Sequence, residues 1–279
     1  MSQALRRVFR RTAAVACLCG AGAAAGCAPQ VSTQQEVAIG ADYSRQINRQ
    51  MPMLNDQATV NYVNQIGSQL AAIADPRGIR YHFYVVNSDV VNAFALPGGY
   101  VYINRGIIER ADNVSELAGV LAHEIGHVAE RHSIEQLQRA QNANLGLNVL
   151  YGVLLGRAPS GVEQAGIQVG GTAVFAGYTR DAEREADRVG VAYLVRAGYN
   201  PIGLATFFEE LLSLQQRQPS RVEQWFSTHP TTQERVANAR AIIAATPGAQ
   251  GGNLITDTRA FQNIRARVTS LPAPPDRRR

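Results

Sequence analysis

The apolar and polar positions alternate with helical spacing along most of the chain, with one short β region. Residues 34–50 and 56–74 read as helices, and Tyr62, Ile66, Leu70 and Ile73 form an apolar stripe in the second. Tyr81–Asn87 is β-branched and aromatic and predicts a strand; Pro97-Gly98-Gly99 predicts a turn, and Tyr100–Asn104 a second strand. These two are expected to pair as a small antiparallel sheet. A long helix follows. Asn113 can cap it with Glu116 three residues on, and Leu117, Val120, Leu121, Ile125 and Val128 run along one face. Residues 143–155 are apolar but only 13 long and contain Asn148, which reads as a core helix or hairpin, since a bilayer span needs ~20 residues. Residues 156–171 are Gly-rich and expected to be a mobile loop. Helical spacing returns at 173–197, stopped by Gly198 and Pro201, at 201–217, and at 231–245, where Thr231 with Glu234 forms a capping-box pattern. The expected class is mostly α with a small antiparallel β-sheet (α+β).

Composition sharpens this picture. With 46% hydrophobic and 18% charged residues, 279 residues can bury a sizeable core, and disorder is excluded for most of the chain. All 27 basic residues are Arg, and four of them (Arg6, Arg7, Arg10, Arg11) fall in the first eleven positions. The other 23 stand against 22 acids, so no basic face for nucleic acid is evident in the body, and no nucleic-acid partner is expected. The basic start and the small apolar residues 12–26 have the layout of a secretory signal. Ala24-Ala25-Gly26-Cys27 resembles a bacterial lipobox, which implies lipidation at Cys27; Ala28 in place of Asp implies sorting to the outer membrane. Arg6-Arg7 also resembles a twin-Arg signal, leaving the export route open. Cys17 and Cys19 would leave with the leader, so the mature body has no thiol and no disulfide framework. The expected organisation is a lipoprotein signal peptide at 1–26, a tether at 27–33, a catalytic domain at 34–247, and a linker, short helix and disordered Pro-rich tail at 248–279.

The chemistry concentrates in His123-Glu124-Ile125-Gly126-His127. On a helix, residues four apart share a face, so the two imidazoles can aim at one point, at a reach suited to zinc. Glu124 sits beside that point and can take a proton from a water activated there. A third protein ligand is needed. The metzincin spacing would need His at 133, where this chain has Ser133. His132, five residues past His127, turns roughly 140° away on a continuing helix and is expected at the surface. A downstream helix offers Glu183 and Asp187, four apart on one face, with Glu185 roughly 200° from Glu183. One carboxylate can bind zinc while the other hydrogen-bonds a ligand histidine. His82, on a strand with no partner motif, is expected to be structural.

Together these residues resemble the HtpX and CAAX-prenyl-protease type of zinc metallopeptidase, over roughly residues 35–245. The resemblance rests on H-E-I-G-H at 123–127, on E-x-x-x-D at 183–187, on Asn92–Gly99 (NAFALPGG) and on Ser227-Thr228-His229-Pro230. It implies a gluzincin-type helical domain with one zinc held by His123, His127 and Glu183, Glu124 as base and Asp187 supporting a ligand. Within that family the chain resembles the periplasmic lipoprotein branch that includes LoiP and the peptidase domain of BepA. That branch implies degradation of misfolded or misassembled envelope proteins in the periplasm, or a chaperone-like scaffold for outer-membrane protein assembly with a latent site. Polypeptide substrates, a membrane contact through Cys27 and the outer-membrane assembly machinery are the partners implied. His229 is left open between a latch on the metal, an oxyanion donor and a helix cap, and Arg235 between a contact to Asp187 and to the oxyanion. Asn92, Gly98, Gly99 and Tyr100 mark a candidate substrate edge, with Tyr100–Asn104 as an exposed edge strand that a peptide could extend.

Overall fold

The computed structural model describes residues 31–143 and 177–275. The expected leader, Cys27, the tether up to residue 30, the apolar run from 144 onward, the Gly-rich loop and the last four residues lie outside the described residues. Two helices open the body. α1 (Thr33–Gln50) starts on a reciprocal capping box between Ser32 and Gln35, and α2 (Gln57–Ala74) on the Asp56 carboxylate, which accepts the Thr59 N–H. Three strands follow: β1 (His82–Val86), β2 (Ala93–Leu96) and β3 (Tyr100–Asn104).

The sheet order is β1-β3-β2. β1 and β3 pair parallel, His82 opposite Tyr100, whereas β2 and β3 pair antiparallel. The antiparallel pairing expected for 81–87 with 100–104 is therefore corrected. The short Ala-rich strand β2 takes the hairpin position across Pro97-Gly98-Gly99, and β1 is left the far side of β3, running the same way. The sheet is buried on both faces, with the period of two that strands impose. Phe83, Val85, Ala93, Ala95, Val101 and Ile103 face the main core, while Val86, Phe94, Leu96 and Tyr102 join a second cluster with Ile47, Met51, Ile134 and Leu137.

The helical part begins with α3 (Arg105–Arg110), then α4 (Val114–Ala129), capped by the Asn113 side chain. The apolar stripe foreseen for α4 understates its burial: every residue from Val114 to Val128 is buried. After it come α5 (His132–Ala143), α6 (Arg180–Arg196), α7 (Ile202–Arg217), α8 (Pro219–Thr228), α9 (Gln233–Ala245) and α10 (Arg259–Ser270). α8 is an element the sequence pattern does not announce, opened by Pro219 and anchored by the buried Val222 and Trp225. The cap of α9 is Thr232 rather than Thr231; the Thr231 hydroxyl instead accepts from Trp225 Nε1 and donates to the His229 carbonyl. α10 packs Phe261 and Val268 into the main core. Leu271 packs against that core as well, and the Pro272 carbonyl accepts from the buried Arg105. Among the described residues no helix is long and apolar enough to cross a membrane.

Candidate active site

α4 and α6 pack closely because glycines line their contact; a Cβ on Gly126 would lie 3.0 Å from a Val189 methyl. This brings the two polar motifs together. His123 Nε2 and His127 Nε2 lie 3.0 Å apart. Glu183 reaches across from α6, its oxygens 3.6 Å from His123 Nε2 and 3.5 Å from His127 Nε2. His229, held at the end of α8 by its N–H on the Trp225 carbonyl, brings Nδ1 to 2.9 Å from Glu183 Oε1 and 3.4 Å from His123 Nε2. One ligand atom from each of the four residues lies within 4.8 Å of the others, and all four side chains are buried.

This group fits a zinc ion. Ligand atoms at ~2.0–2.1 Å from a tetrahedral zinc stand roughly 3.3 Å from one another, and the close separations here run from 2.9 to 3.6 Å. Nitrogen and carboxylate donors are what zinc takes. Glu124 adds a second sign: it is 0% exposed, yet neither carboxylate oxygen has a hydrogen-bond partner. Its Oε1 stands 3.4 Å from His229 Nε2, without hydrogen-bond geometry.

Asp187 lies behind the histidines, its Oδ1 accepting from His123 Nδ1 at 2.9 Å. Arg235 donates to both Asp187 oxygens at 2.8 Å, pairs with Glu183, and lies over the Phe208 ring. Burial sets the electrostatics. It drives His127 well below its ordinary pKa, which keeps the imidazole neutral and available as a ligand. It also pushes Glu124 up. For Glu183 and Asp187, burial pulls the same way, but the Arg235 guanidinium and hydrogen bonds from the neighbouring histidines together outweigh it and hold both below the usual carboxylate range. His229 is the opposite case: burial would lower it, but Glu183 and Glu124 raise it.

Two residues near this centre, His132 and Tyr178, were not foreseen there. His132, expected at the surface, is 3% exposed and stands 2.9 Å from His127 Nδ1. The helix does not continue to it: α4 ends at Ala129, and Arg131 turns the chain at φ 61°. Tyr178 stacks on the His127 ring at 3.7 Å, and its hydroxyl meets Ser133 Oγ at 2.8 Å. Nothing in the local pattern marks Tyr178, which lies just before the Thr179 cap of α6. Glu185 is displaced from the cluster and lies beside His132 at 3.4 Å.

The candidate substrate edge stands differently from the expectation. β3 is the central strand, so Tyr100–Asn104 is not an exposed edge; β1 and β2 occupy both its sides. The close approach that Gly98 permits is to this chain's own α1. Its φ is 73°, its N–H donates to Glu36, and a Cβ would lie 2.5 Å from Val37 Cα. Gly99 packs the same way against residues 79–81. Tyr100 stacks on His82, and Asn92 is 1% exposed with its carbonyl on the Asn104 N–H.

A buried imidazole and carboxylate cluster between two packed helices, with an unpartnered glutamate next to its first histidine, defines a zinc metallopeptidase of the gluzincin kind. Comparison with known proteins narrows the class. The chain belongs to peptidase family M48, whose sequence profile matches residues 57–243. It is similar to the beta-barrel assembly-enhancing protease of Escherichia coli K12, 36% identical over 216 residues, which is 75% of this chain and 44% of that protein. It is also similar to metalloprotease YcaL of the same bacterium (32% identical, 65% of this chain, 72% of the relative). The mitochondrial metalloendopeptidase OMA1 of Schizosaccharomyces pombe is 27% identical, with 64% of this chain and 51% of that protein covered. The chain thus spans less than half the length of the assembly-enhancing proteases it matches.

Proposed function

We propose that this protein is a zinc endopeptidase that degrades misfolded or misassembled envelope proteins, anchored by lipid at Cys27 to the periplasmic face of the outer membrane. The observation that carries the catalytic part is Glu124, buried with both oxygens unpartnered, beside His123, His127 and Glu183. The envelope part is supported by the name of its beta-barrel assembly-enhancing relatives and by the lipobox-like leader.

In this reading His123, His127 and Glu183 hold the ion. Zinc bound there supplies a Lewis acid that polarises the scissile carbonyl and makes water acidic enough to ionise near neutrality. Glu124 accepts the proton of the attacking water and returns it to the leaving amine. Asp187 fixes His123 by accepting a hydrogen bond from its Nδ1–H, and Arg235 helps to keep Asp187 and Glu183 ionised. Burial of the whole group excludes bulk water that would otherwise screen these charges.

Metal content and casein degradation of the purified mature chain test the reading. Glu124→Gln should keep one zinc per chain and lose ~10²-fold or more in turnover. Undiminished cleavage by that variant would sink the assignment, and Glu183→Ala binding zinc as tightly as the parent would reassign the third ligand.

The position of His229 favours a second layer, latency. As a fourth donor within the cluster it can fill the place a substrate needs. His229→Ala should then raise turnover on an unfolded substrate, whereas a large fall would assign it to transition-state support. In the latent reading the protein also serves as a scaffold for outer-membrane protein assembly. Full rescue of a deletion strain by the Glu124→Gln copy would favour that scaffold role.

A further inference from the structure

We propose that His132 and Glu185 form a one-way hydrogen-bond relay that fixes the tautomer and orientation of His127, making both of them positioning residues of the metal centre. The inference rests on the reading of His127 as a ligand.

The polarity of the relay follows from the geometry. His127 turns Nε2 towards His123 and Glu183, at 3.0 and 3.5 Å. A neutral imidazole that offers its lone pair at Nε2 carries its proton on Nδ1. That nitrogen is buried and lies 2.9 Å from His132 Nδ1, so His132 must accept there. Its own proton is then on Nε2, which faces Glu185 Oε2 at 3.4 Å. Each tautomer is set by the one before it, and the chain ends on a carboxylate. His123 has the shorter version of the same device, its Nδ1 directly on Asp187.

The spacing on α6 explains why one histidine needs an intermediary. Glu183 and Asp187 share the face towards α4, while Glu185 is roughly 200° from Glu183 and cannot reach a ligand nitrogen there. His132 spans that gap. It can do so because of Arg131, a non-glycine residue in left-handed conformation (φ 61°). Arg131 is held by Nε on the Glu36 carboxylate at 2.8 Å, and Glu36 is itself fully buried. Arg77 ties the same carboxylate to the end of α4, donating to Glu36 and to the Val128 carbonyl. The turn that aims His132 inward is therefore pinned from both sides. The next residue, Ser133, holds the hydroxyl of Tyr178, whose ring lies flat on His127. The first turn of α5 thus fixes His127 in its plane and across its face.

The test is zinc affinity of the purified chain by chelator competition, with the visible spectrum of the Co(II) form as a second readout. His132→Phe keeps the bulk but removes the acceptor, and should weaken zinc ~10–100-fold and alter the Co(II) bands. His132→Asn places an oxygen near the position of Nδ1 and should restore most of the affinity, while the metal-free melting temperatures of the two variants stay alike. Glu185→Gln, which still accepts, should bind more tightly than Glu185→Ala. Parent-like zinc affinity in His132→Phe would overturn the relay, and so would equal losses in the Phe and Asn variants, which would mean that only packing matters. A His127→Ala control separates the two readings. If it binds zinc like the parent chain, the ligand assignment fails and the relay with it. If it loses zinc while His132→Phe does not, the relay alone fails.

Discussion

Replacing Gly126 by Ala probes how tightly the catalytic geometry depends on the contact between α4 and α6. A Cβ at 126 would lie 3.0 Å from Val189 Cγ2, 3.2 Å from the Ala186 carbonyl oxygen and 3.3 Å from Ala186 Cα. Optimal carbon contacts are ~3.5–4.0 Å, so the helices must part by roughly 0.5 Å. The Val189 methyl can rotate away, but the Ala186 backbone cannot. Overpacking of this kind costs ~1–3 kcal/mol, and the better helix propensity of Ala returns ~0.5–1 kcal/mol. The net loss should be about 0–2.5 kcal/mol. Gly190 on the facing helix is the control, because its Cβ would sit 3.4 Å from Ala122 C and His123 N, an ordinary contact. There the propensity gain should win. The metal readout is sharper than stability. Ala186 adjoins Asp187 and lies three residues from Glu183, so a shift at 186 moves both carboxylates, whereas metal sites tolerate only ~0.2 Å in ligand distance. Zinc affinity should fall at least ~10-fold in Gly126→Ala, on the scale of other disturbances around a ligand set, and stay near the parent value in Gly190→Ala. Thermal melts and chelator competition on both variants check this. Two variants with the same melting point and the same zinc affinity would refute the argument that this contact sets the donor geometry.

Phe261→Ala, at a fully buried position of α10 in the main core, should cost ~3–5 kcal/mol; a denaturant midpoint matching that of Thr269→Ala would show that α10 contributes little to the core. Asp56→Ala removes the cap of α2 and should cost ~0.5–2 kcal/mol at pH 7. Hydrogen bonding from Arg267 chiefly holds the Asp56 carboxyl well below its ordinary range. A depressed folded pKa means this stability is full above the unfolded value of ~3.9 and fades as pH falls towards the folded one. The gap between parent and variant in urea melts should therefore narrow below about pH 4, and a gap constant from pH 7 to 2 would contradict the assignment.

What the sequence makes legible here is what local geometry decides. The facing of His123 and His127 needs only the helical period, and the mostly helical class with a small sheet follows from runs long enough to show their own periodicity. The pair Glu183 and Asp187 is legible as two carboxylates on one face. Which of them meets the histidine Nε2 atoms and which meets Nδ1 depends on how α6 lies against α4, and no local pattern carries that. His132 is misread for a sharper reason. A continuing helix turns it outward, and the break depends on an arginine in left-handed conformation, where glycine or asparagine would have signalled a stop. The sheet is misread because β2 is four residues of alanine, phenylalanine and leucine, too short to show a period. With β2 in the hairpin, β1 pairs with the other side of β3, and it runs parallel there.

Burial then does what sequence position cannot, sorting three acids of similar intrinsic strength into different roles. Glu124, Glu183 and Asp187 all sit within a few per cent of complete burial, and each would rise in pKa on that account alone. Their hydrogen-bonded neighbours decide among them. Arg235 pairs with Glu183 and Asp187 and, together with hydrogen bonds from the histidines, holds both low, one facing the ligand cluster and one behind His123. Glu124 is one position from His123 on α4 but makes no such pair, and the rise survives. A raised Glu124 beside lowered Glu183 and Asp187 is the order that the proposed roles need, a proton acceptor next to carboxylates that stay anionic. The same helix that faces His123 and His127 towards Glu183 also leaves Glu124 without a hydrogen bond to Arg235, and that difference, as much as the spacing of the histidines, is what the proposed division between metal ligands and base requires.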